Sequence, residues 1–84
     1  MYYRVYANMN GWKEIDRAVE ELDVIDTIGF YMANNNTYEY IVILHKDDQD
    51  IPYRNVNGEK DYVKFLQEVN ERKKFDKNKQ KVYN

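Results

Sequence analysis

The sequence predicts an α+β fold in which an antiparallel sheet is covered on one face by two helices. Three observations support this expectation. Some segments of the 84-residue chain alternate apolar and polar residues as strands do, others repeat apolar residues with the period of a helix, and clusters of Asn and Gly separate them. The predicted element order is β-α-β-β-α, and a final strand is an option.

The first half of the chain predicts strand, helix, strand. Residues 2–9 alternate, with Tyr3 and Val5 on one face, and Asn10-Gly11 ends this strand. A helix is predicted from about residue 11 to 23, because apolar residues recur there at helical spacing; they are Trp12, Ile15, Ala18, Val19 and Leu22. Residues 25–33 alternate again and predict a second strand, with Ile28 and Phe30 both inward.

The second half predicts a hairpin and a helix. The triplet Asn34-Asn35-Asn36 is expected to turn the chain into strand 3, residues 37–46, whose apolar residues on both faces indicate a central strand. A loop with a short edge strand at 53–56 precedes helix 2, residues 59–75. The whole is predicted as one domain, residues 1–75, in a ferredoxin-like split β-α-β arrangement. Residues 76–84 form a basic tail in which 81–83 could add a last strand.

Composition argues against several kinds of chemistry. The chain has no cysteine and no serine, only two threonines, Thr27 and Thr37, and one histidine, His45. Nucleophilic triads, disulfides and thiolate metal sites therefore lack their residues. We expect no enzyme activity, no cofactor and no metal site.

The same composition bears on location and source. No apolar run approaches the about 18 residues that a membrane span needs, and the first residues do not read as a secretory signal. We expect a cytoplasmic protein without membrane association. The abundance of Asn, Lys, Tyr and Ile is what an AT-rich genome encodes, which suggests a low-GC bacterium, or a phage or mobile element living in one.

Charge is divided along the chain. The formal net charge of -2 is the sum of -7 over residues 1–71 and +5 over residues 72–84. An acidic body favours a partner with a basic surface. The carboxylates expected to meet this partner surround predicted helix 1 and are Glu14, Asp16, Glu20, Glu21 and Asp23.

Four of the nine tyrosines are candidates for a binding face: Tyr2 and Tyr6 on strand 1, and Tyr38 and Tyr40 on strand 3. The segments 5–9 and 38–41 resemble the strand-1 and strand-3 signatures of RNA-recognition motifs, with Asn36-Thr37 where those motifs carry a basic residue and glycine. The resemblance implies that the tyrosines would stack on bases. The basic residues that would then contact phosphates are Arg72, Lys73, Lys74, Lys77, Lys79 and Lys81.

Two functions follow from these features. The first is a small non-enzymatic protein-binding module, a regulator or inhibitor, that docks on a basic protein partner through its acidic helix and exposed tyrosines. The alternative is a single-stranded nucleic-acid-binding protein that uses the strand tyrosines and the basic tail. The chain is expected to be a monomer, or a homodimer formed by sheet-edge pairing through strand 1 or the hairpin.

Overall fold

A computed structural model describes the backbone of residues 1–83 and the side chains of residues 1–73. The elements are β1 (Tyr2–Asn8), β2 (Trp12–Ala18), α1 (Glu21–Asn35), β3 (Glu39–Lys46), β4 (Gln49–Asn57) and α2 (Gly58–Tyr83). The four strands form one antiparallel sheet in the order β2-β1-β3-β4. The predicted α+β class, with an antiparallel sheet and two helices, is confirmed.

The chain consists of two successive ββα halves. In each half a strand forms a hairpin with the next strand and a helix follows. The first strands of the two halves, β1 and β3, pair with each other at the centre of the sheet, so the second strands, β2 and β4, become its edges. Equivalent positions of the halves carry similar core residues, such as Tyr3 and Tyr40 on the central strands.

Both helices cover the same face of the sheet. Val5 and Val42 lie directly opposite each other on the central strands, and neither is exposed to solvent. Ile28 of α1 and Phe65 of α2 are buried against this face and belong to the same cluster of apolar side chains. The domain therefore has a single core between the sheet and the helix layer.

Residues in the left-handed region form the turns. Asp47 and Asp48 have φ of 53° and 57° and make a two-residue turn between β3 and β4, which matches the twist of the strands. Asn36, with φ 49°, follows the last residue of α1. The triplet Asn34-Asn35-Asn36 is thus a helix end, and the prediction that it forms a hairpin turn was wrong.

The predicted first helix is also wrong, because residues 12–18 form strand β2. Val5 pairs with Asp16 and Tyr6 pairs with Glu14, so Ile15 is an extra residue, a β-bulge. The bulge lets Ile15 pack against the core as Ala18 does, three residues further on. A three-residue apolar spacing is typical of a helix, and here a bulged strand produces it.

The predicted second strand, residues 25–33, lies within helix α1. Its buried residues are Val24, Ile25, Ile28 and Met32, which share one side of a helix. Phe30, expected to point inward, is 63% exposed. The segment fits in part both the two-residue period of a strand and the period of a helix. Val24, the first of the four buried residues of α1, precedes the predicted strand.

Four further expectations are corrected. The loop after strand 3 is the nine-residue edge strand β4, which tolerates Pro52 because an edge strand needs fewer backbone donors. Strand β1 pairs on both sides, so it offers no free edge. The order ββαββα is not the predicted ferredoxin-like one.

Helix α2 includes residues 81–83, where a last strand was an option. The boundary between a domain and a tail at residue 75 stays a prediction.

Substitutions at neighbouring positions of α1 test this helix. Ile28→Ala should lower the free energy of unfolding by about 2–5 kcal/mol, because Ile28 is fully buried and its loss leaves a cavity. Phe30→Ala should change it by no more than about 0.5 kcal/mol. Urea denaturation followed by circular dichroism at 222 nm measures both. Equal losses would contradict the helix and support a strand in which both residues face inward.

Candidate functional site

The face of the sheet opposite the helices carries side chains from all four strands. Residues directly opposite each other on antiparallel strands share a face, so the pairs Arg4–Ile43 and Tyr6–Ile41 lie together on this side. None of the four belongs to the core cluster. No helix in the described part of the chain packs on this surface, which we call the open face.

A row of ion pairs crosses the open face. Glu14 of β2 accepts hydrogen bonds from Nε of Arg4 at 2.8 Å and from Nε of Arg17 at 3.0 Å. Nη1 of Arg4 donates to Asp50 of β4 at 2.9 Å. Arg4, on a central strand, thus connects carboxylates from both edge strands.

Two aromatic side chains close this row. Nδ1 of His45 donates to Asp50, with 2.8 Å between the nitrogen and Oδ1. The Tyr2 and His45 rings stack with centroids 4.8 Å apart, and Cζ of Arg17 lies 5.5 Å from the Tyr2 centroid. Each side chain contacts the next in the order Tyr2, Arg17, Glu14, Arg4, Asp50 and His45, and His45 contacts Tyr2. We call these six residues the open-face ring.

The hydrogen bonds of the ring change the acidity of its members. The bonds from Arg4 and then Arg17 lower the pKa of Glu14 from 4.5 to about 2. The hydrogen bond from His45, followed by the charge of Arg4, lowers the pKa of Asp50. The bond to Glu14 raises the pKa of Arg4. Both carboxylates and both arginines are therefore ionised at neutral pH, and their charges cancel.

Aromatic and aliphatic side chains extend the open face beyond the ring. Cζ of Arg4 lies 5.5 Å from the centroid of Tyr6. Ile41 and Ile43 are half-buried on β3, and Trp12, at the start of β2, is 47% exposed. Tyrosine, tryptophan and arginine are the residues that most often dominate binding energy at protein interfaces.

The acidic residues predicted to share one helix face are in fact dispersed. Glu14 belongs to the open-face ring, whereas Asp16 faces the helices and accepts a 2.6 Å hydrogen bond from the Thr27 hydroxyl. Glu21 accepts hydrogen bonds from Tyr53 and, at 2.8 Å, from Arg72. Only Glu20 and Asp23 of the five are exposed without a side-chain partner among residues 1–73. The expectation of one acidic face on predicted helix 1 was wrong.

The four candidate tyrosines divide into two pairs. Tyr2 and Tyr6 lie on the open face, as a binding face requires. Tyr40 points the other way, is 1% exposed and donates a hydrogen bond to the Thr37 carbonyl at 2.7 Å. Burial raises its pKa to about 12. Tyr38 precedes β3, is 43% exposed and makes none of the contacts that form the ring. The tyrosines therefore do not form an aromatic platform on β1 and β3 together.

The basic residues predicted to contact phosphates are described only in part. Arg72 is bound to Glu21 at 2.8 Å and to the Tyr53 hydroxyl at 3.3 Å, and the bond to Tyr53 raises its pKa. Lys73 is exposed. The side chains of the other four residues lie outside the described part; they are Lys74, Lys77, Lys79 and Lys81.

The pairing of His45 with Asp50 has the geometry in which a carboxylate orients a histidine for proton transfer. Neither of the two threonines of the chain lies beside it. Of the two threonines, Thr27 bonds to Asp16 on the helix side and Thr37 is buried. The hydrogen bond between His45 and Asp50 instead fixes His45 within the ring, where its imidazole stacks on Tyr2.

No family model, curated protein or solved structure matches the chain. Among the helices that the structure describes, none has the length and apolar character to cross a membrane. Within residues 1–73, no three carboxylates or histidines are grouped so that they could hold a metal ion.

Sequence reasoning found only part of the ring. The alternation of β1 already placed Arg4 between Tyr2 and Tyr6 on one face. His45 and Asp50 reach the ring only because β3 pairs with β1 and with β4. No local sequence pattern predicts those pairings. The alternation in residues 39–46 was the one signal available, because it puts His45 on the face opposite Tyr40.

The ring predicts a pH-dependent stability. Because the pKa of Glu14 is lower in the folded chain than its ordinary 4.5, Glu14 stabilises the fold above about pH 4.5, and this contribution is lost as the pH falls towards 2. Glu14→Gln should lower the melting temperature at pH 6 and have little effect near pH 2. Thermal unfolding at both values measures this.

Glu39→Gln provides the control, since Glu39 is exposed and has no side-chain hydrogen bond among residues 1–73. Its effect on the melting temperature should be small at either pH. A melting temperature of the Glu14→Gln chain that equals that of the wild type at pH 6 would show that the ring does not stabilise the fold.

Proposed function

We propose that this chain is a small protein-binding module, a regulator or inhibitor and not an enzyme, that docks on a protein partner through the open face. The observation that carries the proposal is the set of side chains on that face. It presents Tyr2, Tyr6 and Trp12 together with Arg4 and Arg17 on a surface that no helix covers in the described part of the chain. Tyrosine and tryptophan bury much area on association while losing little conformational freedom, and arginine is enriched with them among the residues that dominate binding energy.

The hydrogen bonds of the ring support the same function. Arg4 is held by two carboxylates, and Tyr2 is held between His45 and Arg17. Side chains that are ordered before binding lose less entropy when a partner arrives. The ring would therefore offer a partner a preformed surface in place of flexible side chains.

The charge of the whole body favours a basic partner. Residues 1–71 carry -7, while the two arginines and two carboxylates of the ring balance each other. The contact surface would thus be neutral and the surrounding field negative. Such a field raises the rate at which a basic protein arrives and makes that rate sensitive to salt. We further propose that the module acts in the cytoplasm, in keeping with its lack of cysteine.

Single-stranded nucleic acid is the second candidate ligand, and one feature favours it: Tyr2 and Tyr6 each lie beside an arginine on the open face. Two observations weigh against it. Tyr40 is buried, so β3 contributes no tyrosine to the face. Arg4 and Arg17 already bind Glu14, which leaves little positive charge for phosphates.

Matched tyrosine substitutions test the proposal. Tyr6→Ala should weaken partner capture at least about tenfold, because a central interface tyrosine contributes more than about 1.4 kcal/mol. Tyr38→Ala, which removes an exposed tyrosine outside the open face, should leave capture unchanged. The tagged full chain is used for affinity capture from a lysate of its host, with and without nuclease, and the captured protein is then titrated against each variant.

The outcome separates the two candidates. A protein retained after nuclease treatment, and lost with Tyr6→Ala only, supports the module. Release of all captured material by nuclease, with direct binding of a labelled single-stranded oligonucleotide at low salt, would replace the proposal by the second candidate. Circular dichroism of both variants confirms that the fold is intact.

A further inference from the structure

The solvent side of α1 combines negative charge with an exposed aromatic ring. The sequence between Arg17 and Lys46 contains no lysine or arginine and five carboxylates. Asp23 and Asp26 are exposed on α1 and have no side-chain partner among residues 1–73. Phe30, one turn after Asp26, is 63% exposed. Phe30 is not part of the core, and no basic side chain within residues 1–73 forms an ion pair with these two acids.

A groove that starts at Gly29, the residue before Phe30, continues this surface onto α2. Gly29 allows a close approach between the helices, because a Cβ atom there would lie 2.6 Å from the Tyr62 hydroxyl. The groove is lined by Ala33 of α1 and by Glu59 and Val63 of α2. We call the surface formed by Asp23, Asp26, Phe30, Ala33, Glu59 and Val63 the acidic outer surface. It lies on the helix layer, away from the open face.

The same chain contains a segment of complementary charge. Residues 73–84 include five lysines and one aspartate, together with Phe75, Val82 and Tyr83. Helix α2 continues through this segment to Tyr83. A basic helix that also carries apolar residues suits a negatively charged surface that includes an exposed phenylalanine.

The course of α2 prevents the segment from covering the outer surface of its own chain. Gly29, in the second half of α1, meets Tyr62 near the start of α2, and Glu21, at the start of α1, binds Arg72. The helices are therefore antiparallel, and beyond Arg72 a continuous α2 moves away from α1. Only a separate molecule can supply the segment to this surface.

We propose that two copies of the chain associate reciprocally, with residues 73–84 of each bound to the acidic outer surface of the other. The contact is isologous, so every substitution acts twice in the dimer. The association is driven by charge and by burial of Phe30, and it weakens as salt rises. It uses a surface separate from the open face and does not depend on the function proposed above.

Sedimentation velocity of the full-length chain tests this proposal. At about 200 μM and low ionic strength the wild type should sediment as a dimer, and salt near 0.5 M should convert it to a monomer. Asp26→Lys should raise the dissociation constant about tenfold or more, since two charge contacts are reversed per dimer. Glu39→Lys, the same charge change at an exposed residue of β3, should not. Phe30→Ala should also weaken the dimer.

A charge-swap experiment makes the result specific. A chain with Asp23→Lys and Asp26→Lys should be monomeric, as should a second chain with Lys74→Glu, Lys77→Glu and Lys81→Glu. Mixing the two should restore association, because each supplies what the other now lacks. Far-ultraviolet circular dichroism confirms that both chains remain folded.

Three results would overturn the proposal. One is a wild-type monomer at about 200 μM in low salt. Another is a homodimer that persists in each charge-reversed chain by itself, which would indicate pairing of sheet edges instead. The third is a pair of monomeric variants that do not associate when mixed; binding of an oligonucleotide that is lost in the lysine-reversed chain would then assign the segment to nucleic acid.

Discussion

The antiparallel pairing of β1 with β3 is the contact on which the rest of the structure depends. Within the described residues, it is the only strand pairing that joins the hairpins of the two ββα halves into one sheet. Its register sets Val5 against Val42 on the helix side and Tyr2 against His45 on the open side. A slip of one residue would exchange the two faces of a strand. The core and the open-face ring are therefore fixed by the same register.

Two β-bulges complete the ring, one in each edge strand. In β2, Val5 pairs with Asp16, and a regular strand would next bring Ile15 to the open face; the bulge brings Glu14 there and turns Ile15 towards the core. In β4 the extra residue is Tyr53, which packs on Tyr3 while Asp50 comes opposite His45. Each bulge thus adds an apolar side chain to the core and delivers one carboxylate to Arg4.

The bulges also explain how much of the fold the sequence could predict. Strands β1 and β3 and the start of α2 followed their local patterns, because regular alternation and helical spacing operate there without interruption. In β2 the bulge made Ile15 and Ala18 recur at a helical interval, so the same reasoning predicted a helix. The ring was accessible only in part, since Arg4 and Tyr2 share a face by local alternation whereas Glu14, His45 and Asp50 reach them through pairings between distant segments.

The two surfaces of the protein differ in how their charge is compensated. On the open face each carboxylate of the ring has a basic partner within the same domain, so the surface keeps its aromatic groups ordered without a net charge. On the helix layer Asp23 and Asp26 have no such partner among residues 1–73, and the complementary lysines lie in a segment that leads away from them. In the proposed dimer the second copy neutralises the helix layer, which leaves the open face as the surface available to other proteins.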